Sequence, residues 1–215
     1  MADEEIPPDE DIGPALIAVS SVLLFFALLT GFLRVFVRWR NRNLGWDDAM
    51  LVIGTAFGIA RFAMACTQDK YNNGRHRHYI SEEDYYQTNK YGWYGQIFLF
   101  LGICFLKLSI MLLIMRMKDS KILRYICWGA MAGLVVTNFG VVIILLAECK
   151  PMGFYRTDGE CWTPQVRIYS IYFTVAYSVL TDLLCSFLPL VVVWRVRIPL
   201  KTKVMVVGLM SMGLL

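Results

Sequence analysis

The run from Ile12 to Val37 has the sequence IGPALIAVSSVLLFFALLTGFLRVFV and decides the fold class. A helix needs about 20 mostly apolar residues to cross the hydrocarbon core of a bilayer, and this run exceeds that length. The preceding residues are acidic and include no Lys or Arg, and the apolar run is longer than that of a signal peptide. We therefore interpret it as a retained membrane-spanning helix rather than a cleaved leader.

Further apolar runs of spanning length follow along the chain. They are Ala49–Cys66, Trp93–Met115, Tyr125–Ala147 and Tyr169–Trp194. Of the 215 residues, 57% are hydrophobic and 18% are charged, whereas charged residues make up about a quarter of a soluble domain. This composition excludes a disordered protein and a nucleic-acid-binding arm, and no nucleic-acid partner is expected. The predicted fold is an all-α polytopic transmembrane bundle with five complete helices.

The two ends of the chain complete this domain interpretation. Residues 1–11 form a predicted acidic extracellular tail, and residues 12–215 form one transmembrane domain. The apolar run from Val204 to Leu215 is too short to span a bilayer at 1.5 Å per residue. We expect it to be a partial sixth helix, in a chain truncated within that helix.

The loop charges predict an orientation. Lys and Arg concentrate in cytoplasmic loops, and the count is most informative in short loops. Here they cluster after the first, third and fifth spans, at Arg34, Arg38, Arg40 and Arg42, at Arg116, Lys118, Lys121 and Arg124, and at Arg195, Arg197, Lys201 and Lys203. The N-terminus is therefore predicted to lie outside the membrane and these basic loops in the cytoplasm.

Besides Arg34 near the end of the first span, three charged residues fall within the spans, where charge is costly and usually faces a partner or water. Lys107 and Asp182 lie near mid-membrane on different helices and carry opposite charges. They predict an ion pair, which would either form part of a ligand or ion cavity or act as a structural bridge; Lys107 could instead extend toward the head groups. Arg61 could likewise extend outward or bind a ligand. Pro189 should kink the fifth helix.

The predicted outer loops hold cysteines and histidines. Cys149 and Cys161 share one loop in an oxidising location, so a disulfide between them is the leading expectation. A bridge from Cys66 to one of them, or free thiols, are the alternatives. His76 and His78 lack a third ligand and adjoin two arginines, so no metal site is expected. At the cytoplasmic side, Asp47 and Asp48 should cap the second helix, or else contact Arg38, Arg40 or Arg42.

Several motifs together resemble the fungal rhodopsin-domain family of seven-helix integral membrane proteins. LGWDD, from Leu44 and Gly45 to Asp47 and Asp48, is similar to the family's LG-x-DD, and NNGRH is similar to its G-x-G-x-H, with Asn72 in place of the first Gly. The other similar positions are Gly74, His76, Lys107, Ser109, Cys149, Pro151, Cys161, Asp182 and Pro189.

This resemblance implies a receptor-like protein of a fungal plasma membrane that senses an extracellular cue, with an unknown small ligand and a signalling partner, such as a G protein, at the basic loops. Alternatives are a transporter or channel subunit that uses the Lys107–Asp182 pair, and a membrane accessory protein of a secondary-metabolite cluster. No nucleophile with a base is visible, so no enzymatic activity is expected. Microbial retinal proteins hold their chromophore through a lysine of helix 7, whereas Lys107 lies in helix 3, so neither retinal nor another cofactor is predicted.

Overall fold

The computed structural model describes residues 11–75, 79–117, 121–150 and 160–195. Within them lie the helices α1 (Gly13–Arg40), α2 (Trp46–Asp69), α3 (Glu82–Met117), α4 (Lys121–Ala147) and α5 (Pro164–Arg195). All five are long and apolar enough to cross a membrane. The predicted all-α transmembrane bundle is therefore confirmed. The acidic tail before Asp11, His76, His78, Pro151 and the partial sixth helix from Val204 lie outside the described residues.

The helices pack largely in chain order. α2 and α3 form the most extensive pair, and α1 joins α2, α4 joins α3, and α5 joins α4. Small residues allow the close approach of α2 and α3, as is common between membrane helices: a Cβ atom at Gly54 would lie 2.9 Å from Leu106 Cγ. The buried apolar core lies mainly between α3 and α4, at Trp93, Phe100, Met111, Leu134, Val141 and Leu145.

The predicted bounds of the helices were too short, most clearly for α3. The predicted spans Ala49–Cys66 and Trp93–Met115 leave residues 67–92 as one outer loop, whereas α3 already begins at Glu82. Hydropathy marks only the part of a helix that meets hydrocarbon, whereas the backbone hydrogen bonds continue into polar sequence. Ser81 Oγ accepts a hydrogen bond from the Asp84 N–H at 3.1 Å and thereby helps to begin the helix in polar surroundings.

Two short strands connect α4 to α5. Strand β1 (Cys149–Lys150) pairs with β2 (Glu160–Cys161) in antiparallel register, and Cys149 lies opposite Cys161. The described side chains form no disulfide, and those of Cys149 and Cys161 are not among them, so this bridge stays a prediction. Cys66 is a free thiol, which argues against its bridging either residue.

Candidate functional site

A buried ionic cluster joins three helices at the end of the bundle that is predicted to be cytoplasmic. It consists of Arg34 and Arg38 on α1, Asp47 and Asp48 at the start of α2, and Arg116 at the end of α3. We call these five residues the basic-end cluster. Arg34 and Arg38 are four residues apart and therefore share one face of α1. Both aspartates are 3% exposed.

The arginines of α1 contact both acids of α2. Arg34 Nη2 lies 2.9 Å from Asp47 Oδ2, and Arg34 Nε lies 3.4 Å from Asp48 Oδ1. Arg38 Nη1 lies 3.0 Å from Asp48 Oδ1 and also forms a short contact with Asp47 Oδ2. These contacts confirm one predicted partner, Arg38, and add Arg34. None of the contacts that the structure describes joins Arg40 or Arg42 to these acids.

Arg116 brings α3 into the same cluster. Its Nη1 lies 3.3 Å from Asp47 Oδ1, and its Nη2 donates to the side-chain oxygen of Asn43 at 2.5 Å and to the Asn43 carbonyl at 3.0 Å. Asp47 therefore meets arginines from two helices. With three arginines and two aspartates, the cluster keeps a formal excess of one positive charge.

Three positions of the LGWDD motif, Gly45, Asp47 and Asp48, take part in the contacts at the start of α2. The Asp48 carboxylate accepts a hydrogen bond from the Gly45 N–H at 3.1 Å, which completes the predicted cap of α2. A Cβ atom at Gly45 would lie 2.5 Å from Asp47 Oδ1 and 2.7 Å from Arg116 Nη1. A side chain at this position would therefore displace the charged ends of Asp47 and Arg116. Leu44 is exposed.

Lys107 and Ser109 lie in the sequence KLSI of α3 and contact two different helices. Ser109 is fully buried, and its hydroxyl donates to the Asp47 carbonyl at 2.7 Å. This contact joins two motifs that are far apart in the sequence. Lys107 extends instead toward α5.

Lys107 lies at the centre of a polar site within the membrane-spanning part of the bundle. Its Nζ is 2.8 Å from Asp182 Oδ1, and it donates to the carbonyl and hydroxyl oxygens of Ser178 at 2.7 and 2.6 Å and to Thr181 Oγ1 at 3.3 Å. The predicted contact between Lys107 and Asp182 is thus present. We call these four residues the Lys107 site.

The two charges of this site differ in their surroundings. The Lys107 side chain is 10% exposed, whereas that of Asp182 is 51% exposed. The described residues therefore leave about half of an intramembrane carboxylate uncovered. Such a group needs water, a ligand or another polar group on its open side.

The remaining predicted positions lie elsewhere. Arg61 is partly buried on α2 and lies against α3, where a Cβ atom at Gly95 would be 3.4 Å from Arg61 Cδ.

Asn72 and Gly74 adopt positive φ angles of 59° and 126°. Gly and Asn are the residues that best tolerate this conformation, which accounts for Asn72 in place of glycine. Pro189 lies within α5, but its side chain is outside the described set, and its predicted kink stays a prediction.

The sequence does not predict Arg34 and Arg116 as members of the basic-end cluster. Both were assigned to basic loops that mark the cytoplasmic side. The spacing of Arg34 and Arg38 signals a shared face directed at a neighbouring helix. Nothing in the local sequence of Arg116 distinguishes it from the solvated charges that follow.

The fold and these sites define a polytopic helical membrane protein with charged contacts inside the bundle and at one of its ends. The chain belongs to the fungal rhodopsin domain family, whose model matches residues 33–215. It is also similar to a SAT4 family membrane protein of Emericella nidulans, with 26% identity over 177 residues. That alignment covers 79% of this chain and 42% of the relative, so the chain spans less than half of the relative's length. No solved structure matches it significantly.

Proposed function

We propose that this chain is a receptor-like protein of the plasma membrane that responds to an extracellular small molecule through a cytoplasmic partner, with a G protein as the first candidate. The observation that carries the proposal is the half-exposed carboxylate of Asp182 beside buried Lys107. A ligand or water that competes for Asp182 would weaken its contact with Lys107. The Lys107 site joins α3 to α5, so this competition would change how two helices are held together.

The basic-end cluster supports a cytoplasmic response. It ties α1, α2 and α3 at the end predicted to face the cytoplasm, and α3 carries both Lys107 and Arg116. A shift of α3 at the Lys107 site would therefore reach the arginine contacts of the cluster. Two discrete arrangements of such contacts are what a conformational switch requires.

The test measures guanine-nucleotide exchange in membranes that contain the chain and a co-expressed fungal Gα subunit. We expect Asp182→Asn to change basal exchange relative to the unmodified chain, because the variant loses the charge that holds Lys107. Asp84→Asn is the matched control, since Asp84 is only partly buried at the start of α3 and distant in sequence from both sites. If exchange is the same for all three chains and for empty membranes, coupling to that G protein is wrong.

A transporter or channel subunit is the second candidate, and the same half-exposed carboxylate favours it. A carboxylate within a membrane can bind a cation or a proton during transport. Flux measurements in liposomes that contain only the purified chain distinguish a transporter from a receptor. Proton or cation flux that requires Asp182 would support transport, and its absence together with altered nucleotide exchange would support the receptor.

A further inference from the structure

Helix α1 is fastened at its two ends but loosely packed between them. The basic-end cluster holds one end. At the opposite end the Ile12 N–H donates to the Gly74 carbonyl at 3.4 Å, and Asp11 Oδ2 lies 3.6 Å from Arg75 Nε. Gly13 is the buried residue of α1. The seam between α1 and α2 is therefore open along most of its length.

This seam contains adjoining cavities, which we call the α1–α2 groove. The cavity at the predicted outer end has a volume of about 180 Å³ and is lined by polar groups that include Ser20, Arg61, Gln68 and Asp69. The next cavity toward mid-membrane has about 410 Å³ and an apolar lining that includes Leu23, Leu24, Phe62 and Leu99. Ser20, Arg61 and Ala65 line both, so the polar end continues into the apolar part.

The polar end of the groove contains one positive and one negative side chain. Arg61 and Asp69 are eight residues apart on α2, about 12 Å along the helix axis. Neither forms a hydrogen bond or ion pair through its side chain with the residues that the structure describes. An Arg within a spanning segment is costly without an anion or water beside it.

We propose that the α1–α2 groove binds a zwitterionic phospholipid of the surrounding bilayer. The lipid phosphate would accept hydrogen bonds from the Arg61 guanidinium, which suits a phosphate geometrically. The ammonium group would lie toward Asp69 at the mouth, and an acyl chain would fill the apolar cavity. This places the head group at the predicted outer surface and the chain toward mid-membrane, as in an outer-leaflet lipid. The proposal is independent of whether the chain signals.

The test uses the full chain purified in a nonionic detergent and native mass spectrometry to measure binding of added lipids. Phosphatidylcholine carries both charges, phosphatidylglycerol carries only the negative one, and soluble phosphocholine carries the head group without chains. We expect phosphatidylcholine to bind most tightly to the unmodified chain. Arg61→Gln should weaken its binding about tenfold, as expected for the loss of a charge-assisted contact. Arg40→Gln, at the exposed far end of α1, should leave binding unchanged.

A second variant tests the groove without altering its charges. A Cβ atom at Gly58 would meet no atom within 4 Å, and Gly58 lines the apolar cavity. Gly58→Leu should therefore fill the groove and abolish lipid binding while the helix still folds. Gly129 of α4 has equally open space around it, so Gly129→Leu is the matched control.

Each result decides for or against the proposal. Equal binding of phosphatidylcholine to the unmodified chain, Arg61→Gln and Gly58→Leu would overturn it, because the association would then be nonspecific. Phosphatidylglycerol binding as tightly as phosphatidylcholine, with no effect of Asp69→Asn, would exclude a zwitterionic lipid. Equally tight binding of phosphocholine would show that the site recognises a soluble head group and not a bilayer lipid.

Discussion

Asp47 is the residue on which the basic-end cluster depends, because it contacts arginines from both α1 and α3. Removing one partner of a buried ion pair typically costs about 3–5 kcal/mol, and the lower end applies here because the arginines are partly exposed. We expect Asp47→Asn to lower the free energy of unfolding by an amount in that range. Urea or heat unfolding of the purified chain in detergent, followed by circular dichroism, measures the change.

Asp84→Asn is the control for replacing a carboxylate by an amide, which is the same chemical change as in Asp47→Asn. Asp84 is a partly exposed acid in the first turn of α3, where its favourable interaction with the helix N-terminus is worth at most about 1 kcal/mol. If Asp47→Asn costs no more than Asp84→Asn, the arginine contacts in the structure do not stabilise the fold.

At this same scale, the contact of Lys107 with Asp182 could be predicted, whereas most of the basic-end cluster could not. Two opposite charges at similar depth in the membrane have few alternatives to pairing. Arg34 and Arg116 lie near helix ends, where a charge can equally well meet water. Their partners depend on which helices are neighbours, and the sequence near each arginine does not contain that information.

At the scale of elements, the junction between α4 and α5 holds a buried acid. Glu148 is 4% exposed, its Oε1 lies 3.6 Å from Arg167 Nε, and its Oε2 has no hydrogen-bond partner among the described residues. Burial raises the pKa of the Glu148 carboxyl above its ordinary value, and the charge of Arg167 only partly opposes this. Folding therefore favours the protonated form of this carboxyl relative to the unfolded chain.

This raised pKa predicts how stability depends on pH. The stabilisation from protonated Glu148 is fully present below the pKa of an unfolded glutamate, about 4.3, and is lost as the pH rises through the higher folded pKa. Glu148→Gln should remove this dependence. The unmodified chain should thus lose stability relative to the variant as the pH rises above about 4.3.

Thermal unfolding of the two chains across that pH range provides the measurement. A difference in Tm that stays constant with pH would show that Glu148 does not titrate with folding. A difference that changes in the opposite direction would mean that Arg167 outweighs burial and lowers the pKa.

The elements also show what hydropathy can and cannot predict. Apart from Ile12 at the N-cap of α1, each of the five apolar runs of spanning length lies within a helix that the structure describes, because a spanning segment must satisfy its own backbone hydrogen bonds. The helix ends were missed because polar residues such as Glu82 to Tyr91 continue a helix outside the hydrocarbon. Their helical state depends on packing, as where Gln68 Nε2 of α2 donates to the Thr88 carbonyl of α3 at 3.0 Å.

At the scale of the whole molecule, the α1–α2 groove could not be predicted from the sequence. Apolar residues of α1 are equally compatible with lipid and with a packed neighbour, since both surroundings are apolar. Only the arrangement of the helices shows that α1 is held at its ends while cavities remain between them. The orientation of the bundle in the membrane, in contrast, is predicted directly by the distribution of Lys and Arg among the loops.

The basic-end cluster and the surrounding Lys and Arg residues predict that this end of the bundle faces the cytoplasm. Arg42 and Lys70 are exposed residues at opposite ends of α2, so a cysteine at either position is accessible from one side of the membrane. A membrane-impermeant maleimide applied to intact cells should label the Lys70→Cys variant more strongly than the unmodified chain. Labelling of the unmodified chain gives the background from the native cysteines. Arg42→Cys should be labelled only after the cells are permeabilised. The reverse result would place the basic end outside, because the reagent reaches only the outer side of an intact membrane. An extracellular ligand would then have to reach the Lys107 site from the basic end of the bundle.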